Sequence, residues 1–449
     1  MASTYLTKTP SASNRKTFTI SCWVKRSSLT VQQAIFTTGN GNSGPLNFFG
    51  FGSSDNLNYW EYQDGYTEIS DIKTNRVFRD TNAWYHLVLA VDTTQATSSN
   101  RTKIYVNGEL QTSLGTTGSN QYPTSQNQDM AFNQADQHAI GRYEYNNTAY
   151  FDGLISHFHF IDGTAYAASD FGSTDSTTGE WKINTAPSVT YGTNGFFLLK
   201  DGNSVTDQSG NSNNYTANGT LTNTEDCPSN VFATLNPLIP NTGATFTHGN
   251  TNCFRTTGGN YRRVPATLAV SSGKYYAECY IGADQYAGVC QIQSGDIART
   301  TADSAGYLGE HSGDYSLGFR ADGYTILNGS AQTSNSGTPI SSGTDRLCIA
   351  LDMDNKKVYL GKNGTWMQSS NPATGTGGYS LGGSEPYTFA CATSNADNAF
   401  NFGNGYIKDA AISSEGTNAS GIGKFEYDVP SGYTALSTKG LNELWHTQQ

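Results

Sequence analysis

At 449 residues the chain is too long for one ordinary β-sandwich and suits two domains of roughly 200 residues, each able to bury its own core. Charged residues make up 14%, below the ~25% usual in soluble proteins, and 37 acidic against 26 basic residues give a net charge of −11, which opposes binding to nucleic acid or anionic lipid. No apolar run approaches the ~20 residues of a membrane span and residues 1–6 lack the blocks of a secretory signal, so no membrane insertion is expected and the chain reads as made in the cytoplasm.

Abundant Gly, Ser, Thr and Asn, with 27 tyrosines and 21 phenylalanines for bulk, favour β-rich, loop-rich structure. Period-2 alternation starts at residue 17 and puts Phe18, Ile20, Cys22 and Val24 on one face. Further strands are predicted at 33–37, 46–51, 57–62, 84–91, 102–107, 137–142, 151–161 and 195–200, separated by turn residues in the manner of a sandwich. No stretch sustains a helical period beyond about two turns.

Prolines 228, 237 and 240 mark a boundary, because clustered prolines remove ladder donors and stiffen a connection. The expected division is a first sandwich over 1–229, a linker over 230–247 and a second sandwich over 248–449. Strands in the second are predicted at 274–281, 286–292, 315–319, 324–328, 346–352, 356–361, 387–392 and 398–402, and the aromatic tail from Lys424 is expected to pack back onto a domain. Both halves pair an apolar strand with one ending in Asn-Gly, Asn107-Gly108 in the first and Asn363-Gly364 in the second, two residues that tolerate the positive φ of a tight hairpin turn. The fold class is therefore all-β, with two tandem antiparallel β-sandwich (jelly-roll) domains.

Cysteines 22, 227, 253, 279, 290, 348 and 391 are odd in number and form no C-x-x-C pair, which fits buried free thiols better than a zinc knuckle or a disulfide framework. His157 and His159, two apart on one strand, offer two imidazoles to a metal, but no third ligand is visible; ordinary alternation would put Phe158 and Phe160 in the core and the histidines outside. Asp352-Met353-Asp354-Asn355 lacks the glycine and distal glutamate of a calcium loop. The strongest binding pattern is the aromatic segment 58–66, since sugar rings stack on Trp and Tyr while polar neighbours fix hydroxyls. Alternation separates Tyr59 and Glu61 from Trp60 and Tyr62, which leaves core and ligand as the two readings of these sides; Tyr59, Trp60, Tyr62 and Tyr66 are the first ligand-binding candidates, followed by Tyr307, Tyr324 and Trp366 near loops of the second half. Recognition is expected on loops, and Trp60 is its leading residue.

The residues Phe18–Lys25 in order, Trp84-Tyr85-His86-Leu87, Ile104-Tyr105-Val106-Asn107-Gly108-Glu109 and Phe151-Asp152-Gly153-Leu154-Ile155 resemble the concanavalin A-like, laminin G-like jelly rolls. Gly273-Lys274-Tyr275-Tyr276-Ala277-Glu278, Tyr315-Ser316-Leu317-Gly318-Phe319 and Val358-Tyr359-Leu360-Gly361-Lys362-Asn363-Gly364 resemble a SPRY domain. The order of the two modules, with the junction at 230–237 and the closing Val429-Pro430-Ser431-Gly432-Tyr433, is similar to virion structural proteins of tailed bacteriophages. The resemblance implies a non-enzymatic virion protein on the particle surface, a tail fibre or head decoration. Its implied partners are other virion proteins and a host surface glycan, and its implied assembly is a homo-oligomer, a trimer in the first instance. It also implies no cofactor, while leaving room for a structural calcium at loop carboxylates such as Asp92 or Asp152. The rival implication is a polysaccharide depolymerase, because some concanavalin A-like folds are glucanases with a Glu-x-Asp-x-x-Glu strand. Glu426-Tyr427-Asp428 begins that pattern and Ser431 ends it, so no catalytic residue is assigned.

Overall fold

The computed structural model describes residues 4–39, 44–200, 202, 204–239, 243–256, 261–292, 306–313, 315–331 and 338–446. The chain forms two compact units, residues 1–223 and 224–449.

The first unit is an antiparallel sandwich. Its larger sheet runs Leu114–Gly115, Thr67–Val77, Asn56–Gln63, Leu46–Phe51, Gln33–Thr38, His138–Ile140, Tyr5–Lys8, Thr216–Asn218. The facing sheet runs Phe196–Leu198, Gly153–Asp162, Thr17–Arg26, Trp84–Asp92, Thr102–Val106, Glu109–Leu110. Phe18, Ile20, Cys22 and Val24 point into the space between, as their alternation requires. Phe36 lies at the centre, stacked on Phe132 at 4.6 Å and met edge-on by Phe158, Phe160 and Phe196. Burying one such ring stabilises by ~1.5–3 kcal/mol relative to leaving it exposed. Strand Trp84–Asp92 is apolar at both parities because both of its faces are covered: Leu87, Leu89 and Val91 join the central core, and Val88 packs under Phe171 and Ile161 on the outside.

The second unit pairs a nine-stranded sheet, centred on Lys274–Ile281 between Leu347–Asp352 and Asn398–Asn401, with a six-stranded sheet centred on Tyr286–Gln291 between Tyr387–Thr393 and Ser316–Arg320. The tail packs back as expected: Phe425, Val429 and Tyr433 cover Tyr276 and Ala350 on the outer face of the larger sheet. Glu278 latches it by accepting the backbone N–H groups of Glu426 at 2.9 Å and Tyr427 at 2.8 Å.

The two Asn-Gly hairpins use one device. Asn107 and Gly108 have φ of 48° and 83°, and Asn363 and Gly364 have 48° and 78°. Each asparagine Oδ1 accepts a backbone N–H from the start of the preceding strand, His86 at 2.8 Å and Arg346 at 2.7 Å. Only side chains that tolerate the left-handed region allow this turn.

The structure departs from the sequence-based expectation in several places, including short strands such as Tyr5–Lys8 and Arg262–Pro265 that were not predicted. Strand Thr67–Val77 was not predicted; register shifts in its pairing with Asn56–Gln63 put Ile69 and Ile72, three apart, on the buried side, so its pattern has no period of two. The segment 230–247 belongs to the second unit instead of connecting freely: Phe232 and Leu235 are buried, Leu235 bridges Ala266, and Thr245–Thr247 is an edge strand, while residues 240–242 lie outside the described ones. A helix also closes the described chain at Thr438–His446. Among the described residues no helix is long and apolar enough to cross a membrane.

Candidate functional site

The aromatic segment of the first unit divides as alternation requires. Tyr59 turns inward, is fully buried and donates its hydroxyl to Glu61 Oε2 at 2.8 Å, which removes it from the ligand candidates. Glu61 is equally buried and also takes the Ala131 backbone N–H; desolvation lifts its carboxyl to about 7. Trp60 and Tyr62 turn outward. Cross-strand pairing puts Phe48 and Asp71 on either side of Trp60. Tyr66, on the turn that ends the strand, is 49% exposed and shares a 2.8 Å hydrogen bond between its hydroxyl and that of Tyr145.

These residues open onto a hollow of about 280 Å³ walled by Trp60, Tyr62, Tyr66, Tyr143 and Tyr145. Leu46, Asp71 and Thr117 complete it, with the Thr117 hydroxyl donating to Asp71 Oδ2 at 2.6 Å. Three of the ring pairs meet nearly at right angles, Trp60 with Tyr143 at 85° and 5.5 Å, Trp60 with Tyr62 at 75° and 5.5 Å, and Tyr66 with Tyr145 at 90° and 6.2 Å, while Tyr143 and Tyr145 are tilted by 37° at 5.8 Å. Burial and the neighbouring Glu68 and Asp71 carboxylates raise the Tyr62 phenol pKa, so it stays a neutral donor. The site lies partly on a sheet face and partly on loops. Asp71 was missed because its strand was missed, and Tyr143 and Tyr145 because they follow the short strand His138–Ile140 in a loop; the alternation of Tyr143 and Tyr145 was the available pattern.

The remaining candidates do not gather there. Tyr307 stacks on Tyr286 at 4.6 Å, and Arg320 lies 5.1 Å over the Tyr324 ring; both tyrosines pack on the outer face of the second unit's six-stranded sheet. Trp366 packs beside Tyr276, in the cluster that holds the tail. Asp92 accepts from the Thr94 N–H at 3.0 Å and hydroxyl at 2.6 Å and from Gln95 at 2.6 Å, donors that lower its pKa and fix a turn. Asp152 takes the Ser28 hydroxyl.

The two histidines do not both face outward to solvent. Phe158 and Phe160 enter the core and His159 takes the opposite face as alternation requires, but that face is covered: His159 is buried against Phe197 at 3.9 Å and hydrogen-bonded to the Tyr191 hydroxyl at 2.9 Å, while a bulge between Ser156 and His159 displaces His157, at φ 47°. Among the described residues no cluster of three or more His, Cys, Asp or Glu side chains could hold a metal ion. Nearby, Ser21 Oγ lies 2.9 Å from His86 Nε2, which superficially resembles a nucleophile and its base. The Trp181 indole N–H donates to His86 Nδ1 at 3.0 Å, so the neutral ring carries its proton on Nε2 and donates to the serine. Burial holds the His86 pKa down at about 3, and the pair is structural.

Residues 2–170 match the family model of the concanavalin A-like lectin/glucanases superfamily. The first unit thus has a concanavalin A-like, laminin G-like fold. Similar solved structures include the PSpry domain of TRIM65, 16% identical over 38% of this chain and 90% of that one, with a TM-score of 0.28. Mouse laminin α1 domains LG4-5 are 8% identical over 88% of this chain and 84% of that one, with a TM-score of 0.29. A putative carbohydrate binding protein from Bacteroides ovatus is 19% identical over 49% and 57%, also at 0.29. No curated protein matches the chain.

Proposed function

We propose that the chain is a glycan-recognition protein whose first unit binds sugar at the Trp60–Tyr66 hollow. The observation that carries this reading is the hollow itself: five aromatic rings on a lectin-like sandwich, with phenol, hydroxyl and carboxylate groups within reach of a bound ring. Binding without cleavage is the accompanying reading. A glycosidase needs two carboxyls about 5–9.5 Å apart across the sugar bond, and Asp71 is the one acidic side chain lining the hollow among the described residues. Module order supports a wider reading, a surface protein of a tailed-phage particle that meets its host's polysaccharide as a homo-oligomer.

A polysaccharide array probed with the full chain tests the site. Binding should appear and should fall at least tenfold in Tyr66→Ala, whose exposed side chain leaves the fold intact. Undiminished binding in that variant would remove the site, and released oligosaccharide would establish hydrolysis or lyase action. Antibody labelling of virions in the electron microscope tests the particle assignment, and light scattering the oligomer.

A further inference from the structure

Asp71 is only 4% exposed yet lines the hollow, and its one hydrogen-bond donor from a side chain is the Thr117 hydroxyl. No lysine, arginine or histidine lines the hollow, and none pairs with Asp71 among the described residues. A carboxylate withdrawn from water without a counter-charge is costly to keep, and a ligand that supplies the charge removes that cost. The rings around it add to the same field. Aromatic faces are negative, and walls turned against one another, three of the pairs at 75–90° and Tyr143 with Tyr145 at 37°, enclose a compact group from several sides, where a flat platform would suit the broad face of a pyranose.

We infer that the hollow takes a substituted ammonium group, carried by an amino sugar whose nitrogen is free instead of acylated. The inference rests on the glycan reading above. The ammonium donates to Asp71, and its neighbouring C–H groups face Trp60, Tyr62, Tyr66, Tyr143 and Tyr145. An acylated nitrogen has neither the charge nor the spare protons, and an acidic sugar would meet Asp71 with like charge.

Calorimetric titration of the full chain at pH 6.5 with the glucosamine trimer, the N-acetylglucosamine trimer and choline chloride separates the terms. The free-amine trimer should bind at least tenfold more tightly than the acetylated one. Asp71→Asn should lower the free-amine affinity tenfold or more and leave the acetylated trimer nearly unaffected, with Tyr66→Ala weakening both and a thermal melt confirming that each variant is folded. Equal or tighter binding of the acetylated trimer would overturn the ammonium inference and leave the glycan reading standing. Choline binding without either trimer would support the ammonium site but overturn the sugar carrier and, with it, the glycan reading at this site. No binding by any of the three would overturn the inference, and the polysaccharide array would then decide the glycan reading alone.

Discussion

Mild acid should act on the two units in opposite directions. In the first unit burial holds His86 down at about 3, His138 at about 4, and His159 lower still than its ordinary value. A histidine whose folded pKa is depressed gives stability that is fully present above its unfolded pKa of about 6.5 and is lost as pH falls below it, because the unfolded chain takes up the proton first. Between pH 7 and pH 5 His86 and His138 each lose about 2 kcal/mol, roughly 4 kcal/mol together, and His159 adds to the loss. Glu61, raised to about 7, has the opposite sign: its stability is full below the unfolded value near 4.5 and is lost as pH rises through 7. It returns about 2 kcal/mol on the same acidification, and Glu144, also raised by burial, adds to that return. From the groups with the clearest shifts the first unit should therefore lose a net of about 2 kcal/mol, with His159 deepening the loss and Glu144 opposing it, out of the 5–15 kcal/mol typical of a domain. The second unit holds Glu278, raised to about 7 by desolvation, and neither His248 nor His311 is buried, so it should gain about 2 kcal/mol. Urea titrations of the full chain at pH 7 and pH 5, with protection followed in peptides from each half by hydrogen exchange, measure both. A first-unit midpoint that rises at pH 5, or a second-unit midpoint that falls with it, would refute the argument.

Asp55 is fully buried between Arg26 at 3.1 Å and Arg79 at 3.0 Å, and Arg26 is itself fully buried over the Phe51 ring. Asp55→Ala leaves a buried guanidinium without its carboxylate and should cost about 3–5 kcal/mol in urea melts; a loss below 1 kcal/mol would mean that water reaches the site, since exposed pairs are worth about that much. All seven cysteines are free, six buried and Cys227 half-buried, so a native thiol titration with an aromatic disulfide reagent should label Cys227 rapidly and the other six only on unfolding. Rapid labelling of more than one would contradict the described packing, including the buried Cys253 and Cys391 sulfurs 3.4 Å apart.

Strands with strict alternation, such as Thr17–Arg26, were legible because the inward residues from Phe18 to Val24 are apolar and each contributes to one core. The Asn-Gly turns were legible because the residue pair itself sets the backbone. Thr67–Val77 was not, since its bulges shift parity and three of its five buried residues are polar, and Asp71 went with it. Tyr59 and Trp60 illustrate the limit at the site. Alternation separates them onto two faces, but which face is the core follows from Leu57 and Ile72 meeting Phe36 and Phe49, contacts made by other strands and invisible to local pattern. His159 is hidden for a related reason, because the segment that covers its face lies later in the chain, and the bulge at His157 arises in pairing with Thr17–Arg26.

Position in the sandwich explains why aromatic residues collect where they do. A two-sheet sandwich has two outer faces, and in each unit an irregular segment roofs one of them. In the first, residues 166–191 cover Val88 and Ile161, tied down by Trp181 to His86 and Tyr191 to His159. In the second, the tail covers Tyr276, tied down by Glu278. The roofing contacts use polar groups on the sheet that would be costly to bury alone, so the roof and its buried anchor require each other. The opposite face of each unit carries half-buried aromatics instead, Trp60 with Tyr145 in the first and Tyr261 with Tyr307 in the second. A face that must stay in water has no stability reason to hold stacked rings, since charged side chains would solvate it better. Of the two, the Trp60 face adds a concave shape and a buried carboxylate with no cation beside it among the described residues, the combination on which the proposed ligand site rests.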